Sequence, residues 1–258
     1  MSFPIGRRIL PCALGAVVVA ACSDGSAPNG GSQGTMSFTA GSAPAPVASI
    51  APAYSSAPIS VNGQTLVLSQ VQIVLSEIEL KALDHSGVCS GESDGCEEFE
   101  AGPVLIDLPL DGGVVTPINT TVTAGTYSEA ELKLDIPSED DAATTAFLAA
   151  NPTWPADASV HAVGTFDAND GNGPQPFDVY IGGESELELG FNPPVVVDAS
   201  GAFNVTVAID PSTWFVSAGA LIDPRLLSGN SSLREAVFTN IDAAFHAFED
   251  DNKDGLED

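Results

Sequence analysis

The chain has 258 residues, 35 acidic and seven basic, with a formal charge of −28. So large an acidic excess argues against nucleic acid and anionic lipid head groups as partners. The length suits one domain, or one domain with a small appendage, and most of its carboxylates read as a solubilising surface, with cation binding the sharper alternative.

Arg7 and Arg8 precede a short apolar run, ILPCALGAVVVAA, over residues 9–21. The run is too short to cross a ~30 Å hydrocarbon core as a helix. A charged start, a short apolar middle and small closing residues describe a secretory signal peptide. The run closes as Val19-Ala20-Ala21-Cys22. This resembles the lipobox of bacterial lipoproteins, in which the cysteine is acylated and becomes the new N-terminus. The resemblance implies lipidation at Cys22 and a membrane partner reached through the lipid. Ser23 at the next position resembles the sorting pattern that favours the outer membrane over the inner. Several acyl chains anchor stably, at ~0.8 kcal/mol per buried CH₂, where one chain is marginal. Removal of residues 1–21 leaves Lys81, Lys133, Arg225, Arg234 and Lys253 against all 35 acids.

Residues 22–58 are rich in Ser, Gly, Ala and Pro and read as a flexible tether. Within it, Met36-Ser37-Phe38 offers a brief strand that could dock on the fold. Strand-like alternation begins at Ile59. Val71, Ile73 and Leu75 hold one phase, which shifts after Ser76-Glu77 to Ile78 and Leu80, the mark of a bulge. Cys89 and Cys96 flank a loop of Ser, Gly and acids. In an exported protein they should pair as a disulfide, worth ~2.5 kcal/mol for so short a loop. Metal binding is the alternative, with His85 the sole further soft ligand nearby.

Val104, Ile106 and Leu108 form a further run. Ala130, Leu132, Leu134 and Ile136 then face one way, with Glu129, Glu131, Lys133 and Asp135 opposite, as in a strand with one wet face. Ser138 and Asp141 match a helix cap and its acidic partner, and the short helix should stop at Asn151-Pro152. Strand signals resume over residues 159–166, 177–181, 184–191, 195–197 and 203–209. Many short strands between Gly, Pro, Asp and Asn turns predict an antiparallel sandwich. Leu233, Val237, Ile241, Phe245 and Phe248 follow at helical spacing and predict an amphipathic C-terminal helix packed on it. The expected organisation is therefore a signal peptide over 1–21, a tether over 22–58, a sandwich over 59–228, and a helix with an acidic tail over 229–258.

The tail carries the clearest candidate site. Counted from Asp250, oxygens fall at positions one (Asp250), three (Asn252) and five (Asp254), glycine at six (Gly255), and a carbonyl at seven (Leu256). That is the first half of an EF-hand loop, and calcium is the one cofactor the sequence raises. Asp258 stands at position nine, and the bidentate acid at position twelve is missing. The acidic tail as a solvated end is the competing reading. Asp167 to Gly173 is a second acidic loop, but its spacing fits a turn between strands better. His85, His161 and His246 stand in no recognisable nucleophile motif, and no HExxH or Gly-x-Ser-x-Gly is present. Trp154 and Trp214 are read as core, with a sugar platform as the alternative.

The order of parts also resembles a class of bacterial β-sandwich lipoproteins of unknown function. LVLSQVQIVLSEIELKA, PVLIDLPL and AGTYSEAELKLDIP, over residues 66–82, 103–110 and 124–137, carry the match. The resemblance implies an immunoglobulin- or transthyretin-like sandwich and no activity. The expectation is a non-catalytic, surface-anchored module with an unknown envelope or extracellular partner. The alternatives are an envelope enzyme acting on glycans through paired carboxylates, and a subunit that polymerises by strand exchange with residues 36–40 as donor.

Overall fold

The computed structural model describes residues 33–42, 58–83, 97–135, 142–198 and 202–256, all within one compact unit. The strands are β1 Gln33–Gly41, β2 Ile59–Val61, β3 Gln64–Ala82, β4 Glu97–Ala101, β5 Val104–Asp107, β6 Val114–Thr123 and β7 Gly125–Leu134. After helix α1 (Ala142–Ala150) come β8 Val160–Asp167, β9 Gln175–Ile181, β10 Ser185–Val197 and β11 Ala202–Ile209. A 3-10 turn at Pro211–Thr213 leads to β12 Val216–Ser217 and β13 Ala220–Leu221. A second 3-10 turn at Pro224–Gly229, helix α2 (Ser231–Asp242) and β14 Phe245–Glu249 complete the order.

The fold is mainly β. One sheet runs β14-β11-β1-β6; the other runs β10-β7-β3-β8-β9, with β2, β4 and β5 also pairing β3. Their apolar faces meet in a single core cluster: Met36, Phe38, Val205 and Val207 from the first sheet, Leu66, Ile73, Ile78 and Leu132 from the second. β2 turns into β3 through Asn62 (φ 52°) and Gly63 (φ 83°). Positive φ at both central residues is the primed turn that matches strand twist, and Asn-Gly is its preferred sequence. The phase shift read at Ser76-Glu77 is a register irregularity between Leu75 and Glu77 in the β3–β7 ladder. It keeps Leu75 and Ile78 both in the core.

Four expectations need correction. The stretch read as tether contains β1, which is nine residues long and lies inside a sheet, between β11 and β6. Met36, Phe38 and Ala40 are almost wholly buried, so burial on both sides offsets the poor strand propensity of Ser and Gly. Residues 43–57 therefore connect two strands of the sandwich instead of leading to it. The sandwich is also not wholly antiparallel, because β1 pairs β11 in parallel. The C-terminal helix ends at Asp242, and Phe245–Glu249 is a strand on β11. Val237 and Ile241 bury on the helical spacing, but Phe245 and Phe248 bury from β14; an available sheet edge outweighed local periodicity. Finally, the face of β7 read as wet buries Glu131 at 4% exposure, beside Glu79 of β3 at 3%.

β6 had no sequence signal of its own, and Pro117 sits within it. Proline is tolerated there because β6 is an edge strand. α1 ends as expected, with Asn151 Nδ2 donating to Phe147 O at 3.0 Å. The cap residues Ser138 and Asp141, and Ile136, lie outside the described residues. Among the described residues no helix is long and apolar enough to cross a membrane.

Candidate functional site

Cys22, Cys89, Cys96, His85 and Asp258 lie outside the described residues. Of the predicted site, the structure places Asp250, Asn252, Asp254 and Leu256, directly after β14. β14 sets the loop down on the outer face of the smaller sheet. There Ser37 and Thr39 of β1 and Asn204 and Thr206 of β11 form a buried polar layer. Asp250 is 0% exposed. Its Oδ1 accepts from Asp254 N at 3.1 Å, and its Oδ2 from Gly255 N at 2.9 Å and Thr206 Oγ1 at 2.7 Å. Asn252 Oδ1 accepts from Asp254 N, and Asp254 Oδ1 from Leu256 N. Lys253 (φ 59°) and Gly255 (φ 81°) take the left-handed conformation that closes the turn. Lys253 Nζ donates to Ser37 Oγ at 2.8 Å. Asn204 Nδ2 donates to Asp250 O at 2.9 Å, while its buried Oδ1 has no partner.

The loop thus has the backbone turn that the motif predicts. Its first acid, however, is a buried hydrogen-bond hub. A carboxylate offers about four acceptor positions, and protein donors occupy three on Asp250. Among the described residues no group of three or more His, Cys, Asp or Glu side chains is arranged to hold a metal ion.

A second constellation was missed in the sequence. Three outward-facing residues on neighbouring strands meet on the larger sheet: Gln72 of β3, His161 of β8 and Tyr180 of β9, in the registers Gln72↔His161 and His161↔Tyr180. His161 Nδ1 lies 3.0 Å from Gln72 Oε1, and its Nε2 lies 2.9 Å from Asp178 Oδ1. The imidazole stacks on the Tyr180 ring with centroids 4.1 Å apart and planes 7° from parallel. Trp154 meets both rings edge-on, at 5.7 and 6.2 Å, and is fixed by Nε1 donating to Ala158 O at 2.8 Å. Trp154 is 8% exposed and Trp214 0%, so both serve packing. Tyr180 remains 38% exposed. It lines a cavity of about 630 Å³ with Asp157, Asp178, Glu184 and Arg234 on its walls.

The third constellation is an ion network across β10, β7 and β3. The registers set Glu186↔Lys133↔Glu77, Glu188↔Glu131↔Glu79 and Glu129↔Lys81 side by side. Lys81 pairs with Glu131, and with Glu129 at 3.3 Å. Lys133 pairs with Glu77 at 2.5 Å and approaches Glu79 at 3.7 Å and Glu131 at 4.0 Å. A hydrogen bond with Glu79, helped by Lys133, holds the Glu77 carboxyl below its ordinary range. Burial pushes Glu131 up, but hydrogen bonds with Lys81 and Glu186 and the charges of both lysines leave it lowered. Hydrogen bonding to Glu131 raises Glu186. Glu131 raises Lys81, and Glu77 pushes Lys133 up to about 12. Two of the chain's seven basic residues are spent here, on carboxylates that would otherwise be buried unpaired.

The acidic loop after β8 is a strand-connecting turn, as its spacing suggested. Asp167 Oδ1 accepts from Asn169 N and Asp170 Oδ1 from Asn172 N. The amide of Asn172 holds the Asp170 carboxyl below its ordinary range.

No protein-family model, curated protein or solved structure matches the chain.

Proposed function

We propose that the chain is an exported lipoprotein, acylated at Cys22, whose β-sandwich is a non-catalytic binding or structural module at the cell envelope, outer membrane in preference to inner. The observation that carries this reading is where the fold begins. β1 starts at Gln33, directly after the low-complexity residues 23–32 and the Val19-Ala20-Ala21-Cys22 sequence. A stretch of about ten residues spans at most roughly 35 Å when fully extended. An acylated Cys22 would therefore hold the sandwich close to the membrane surface, much nearer than a tether running to residue 58. The immunoglobulin- or transthyretin-like identity, the Cys89–Cys96 disulfide and an envelope or extracellular partner belong to the same proposal and rest on the sequence. Residues 36–40, the candidate donor for strand exchange, are built into the smaller sheet. Fractionating cells that express the chain or its Cys22→Ala variant tests the reading. The parent should partition with the membranes and the variant should be released; equal partitioning of the two would sink the proposal.

Calcium enters as a ligand of the C-terminal loop. The left-handed Lys253 and Gly255, and the amides of Asp254 and Gly255 on Asp250, support it. The full burial of Asp250 and its three protein donors weigh against it. The loop closes on Thr206 and Ser37. Calorimetric titration of calcium into the protein and its Asp254→Ala variant decides the point: heat in the parent alone supports a site, and no heat in either removes it.

One observation favours a second reading, the glycan-active enzyme. Asp157, Asp178 and Glu184 share a cavity with Tyr180, which touches Trp154. A pair of carboxylates roughly 5–10 Å apart is what glycoside hydrolysis requires. Hydrolysis of envelope glycans that Glu184→Gln abolishes would support it, and activity untouched by Glu184→Gln, Asp157→Asn and Asp178→Asn would remove it.

A further inference from the structure

The cavity beside β9 is built from parts that neither the proposed anchor nor the C-terminal loop uses. β9 is an edge strand of the larger sheet, and the 3-10 turn at Pro224–Gly229 packs next to it. The floor on the sheet side is Tyr180, whose orientation is fixed. One face stacks on His161, and His161 is held from both ring nitrogens by Gln72 and Asp178. The three centroid separations place Trp154 beside this stack, not on top of it. Among the described residues the second face of Tyr180 is therefore clear of aromatic neighbours.

Among the described residues the walls carry three acids, Asp157, Asp178 and Glu184, and one basic residue, Arg234. Arg234 is turned to the protein, with Nη1 donating to Leu227 O at 3.0 Å. The three carboxylates are not grouped as metal ligands. A chain of formal charge −28 attracts cations and repels anions over its whole surface.

We propose that this cavity takes an organic cation, a primary ammonium or guanidinium group, held between the open face of Tyr180 and the carboxylates of Asp157, Asp178 and Glu184. A cation over an aromatic face is attracted by the ring quadrupole, and carboxylates supply charge-assisted hydrogen bonds. The ring is already locked, so little order is lost on binding. The ligand is either a free polyamine or the basic side chain of a peptide. The assignment deepens the binding-module reading by naming a ligand class, and it stands or falls independently of the lipid anchor.

Spermidine and the blocked amides of lysine and arginine are titrated into the full chain at physiological salt, followed by calorimetry and by intrinsic tryptophan fluorescence, to which Trp154 and Trp214 both contribute. Saturable one-to-one binding is expected. Glu184→Gln, Asp157→Asn and Tyr180→Leu should each weaken it about five- to tenfold. Asp170→Asn, in the hairpin at the far end of β9, removes one charge elsewhere and should change it less than twofold. Tighter binding of spermidine identifies a polyamine, and tighter binding of a blocked amide identifies a peptide side chain. No saturable binding, equal losses in Asp170→Asn, or equal affinity for a neutral sugar overturns the assignment. Unchanged thermal unfolding of Glu184→Gln and Asp157→Asn keeps a loss of binding from being a loss of fold.

Discussion

Phe38→Ala separates a strand from a tether. Phe38 is 1% exposed in the middle of β1, flanked by Met36 and Ala40 at 0%, and belongs to the core shared by both sheets. Truncating a buried phenylalanine removes its transfer energy and leaves a cavity, together about 3–5 kcal/mol. In a domain of this size each kcal/mol lowers Tm by roughly 2–4 °C, so the midpoint should fall by about 6–20 °C. A substitution in a solvated tether stays within about 0.5 kcal/mol. Urea unfolding of parent and variant gives the difference directly, with the m-value checking that the transition remains two-state. Ser37→Ala, on the opposite face, is the internal comparison: it loses the Lys253 hydrogen bond and should cost about 1 kcal/mol. A Phe38→Ala loss below about 0.5 kcal/mol would refute the placement of β1.

Lys81→Met strips the ammonium from Glu131 and Glu129. Removing one partner of a buried pair costs about 3–5 kcal/mol, and the 23% exposure of the Lys81 side chain places this one nearer 2–3 kcal/mol; thermal unfolding unchanged from the parent would contradict the network. Acid should weaken the fold through the same residues. Glu77 and Glu131 have lowered folded values, so their contribution is complete above the unfolded value of about 4.3 and is lost as pH falls through the folded ones. Urea midpoints between pH 7 and 2 should drop less steeply in Glu131→Gln, and an identical profile would remove Glu131 from the account. At the alkaline end Lys133, pushed up to about 12, contributes fully below the unfolded value of about 10.4 and loses that contribution as pH rises through its folded value. Asp250→Asn keeps one acceptor oxygen where two now serve three donors; it should cost about 1–3 kcal/mol and speed hydrogen exchange at Asp254 and Gly255, and unchanged exchange would show that the loop closes by other means.

The larger sheet was largely legible because several of its strands alternate over long runs. Ala130, Leu132 and Leu134 bury as their spacing required, and the slip at Ser76-Glu77 could be seen because it moves every later side chain to the other face. Composition hid all of β1 but the brief strand at Met36-Ser37-Phe38. Its alternation of Met36, Phe38 and Ala40 with Ser37 and Thr39 is present, but it is short and embedded in Ser, Gly and Pro. The partners that make it a strand, β11 and β6, are far away in sequence. β14 was hidden for the opposite reason, since Phe245 and Phe248 fit a helix continuing from α2 and only the free edge of β11 decides otherwise. Of the candidate site, the turn at Lys253 and Gly255 was readable from the motif. The burial of Asp250 was not, because it depends on Thr206 and Asn204 on another strand. The His161–Tyr180 stack left no linear signal at all; the two residues meet through strand register.

We propose that Cys22 becomes the acylated N-terminus of an exported sandwich. Mass spectrometry of the N-terminal peptide of the mature protein tests it most directly. The expected peptide begins at Cys22 and carries the mass of a diacylglycerol thioether, which Cys22→Ala loses. A mature chain that begins elsewhere, or an unmodified Cys22, would contradict it.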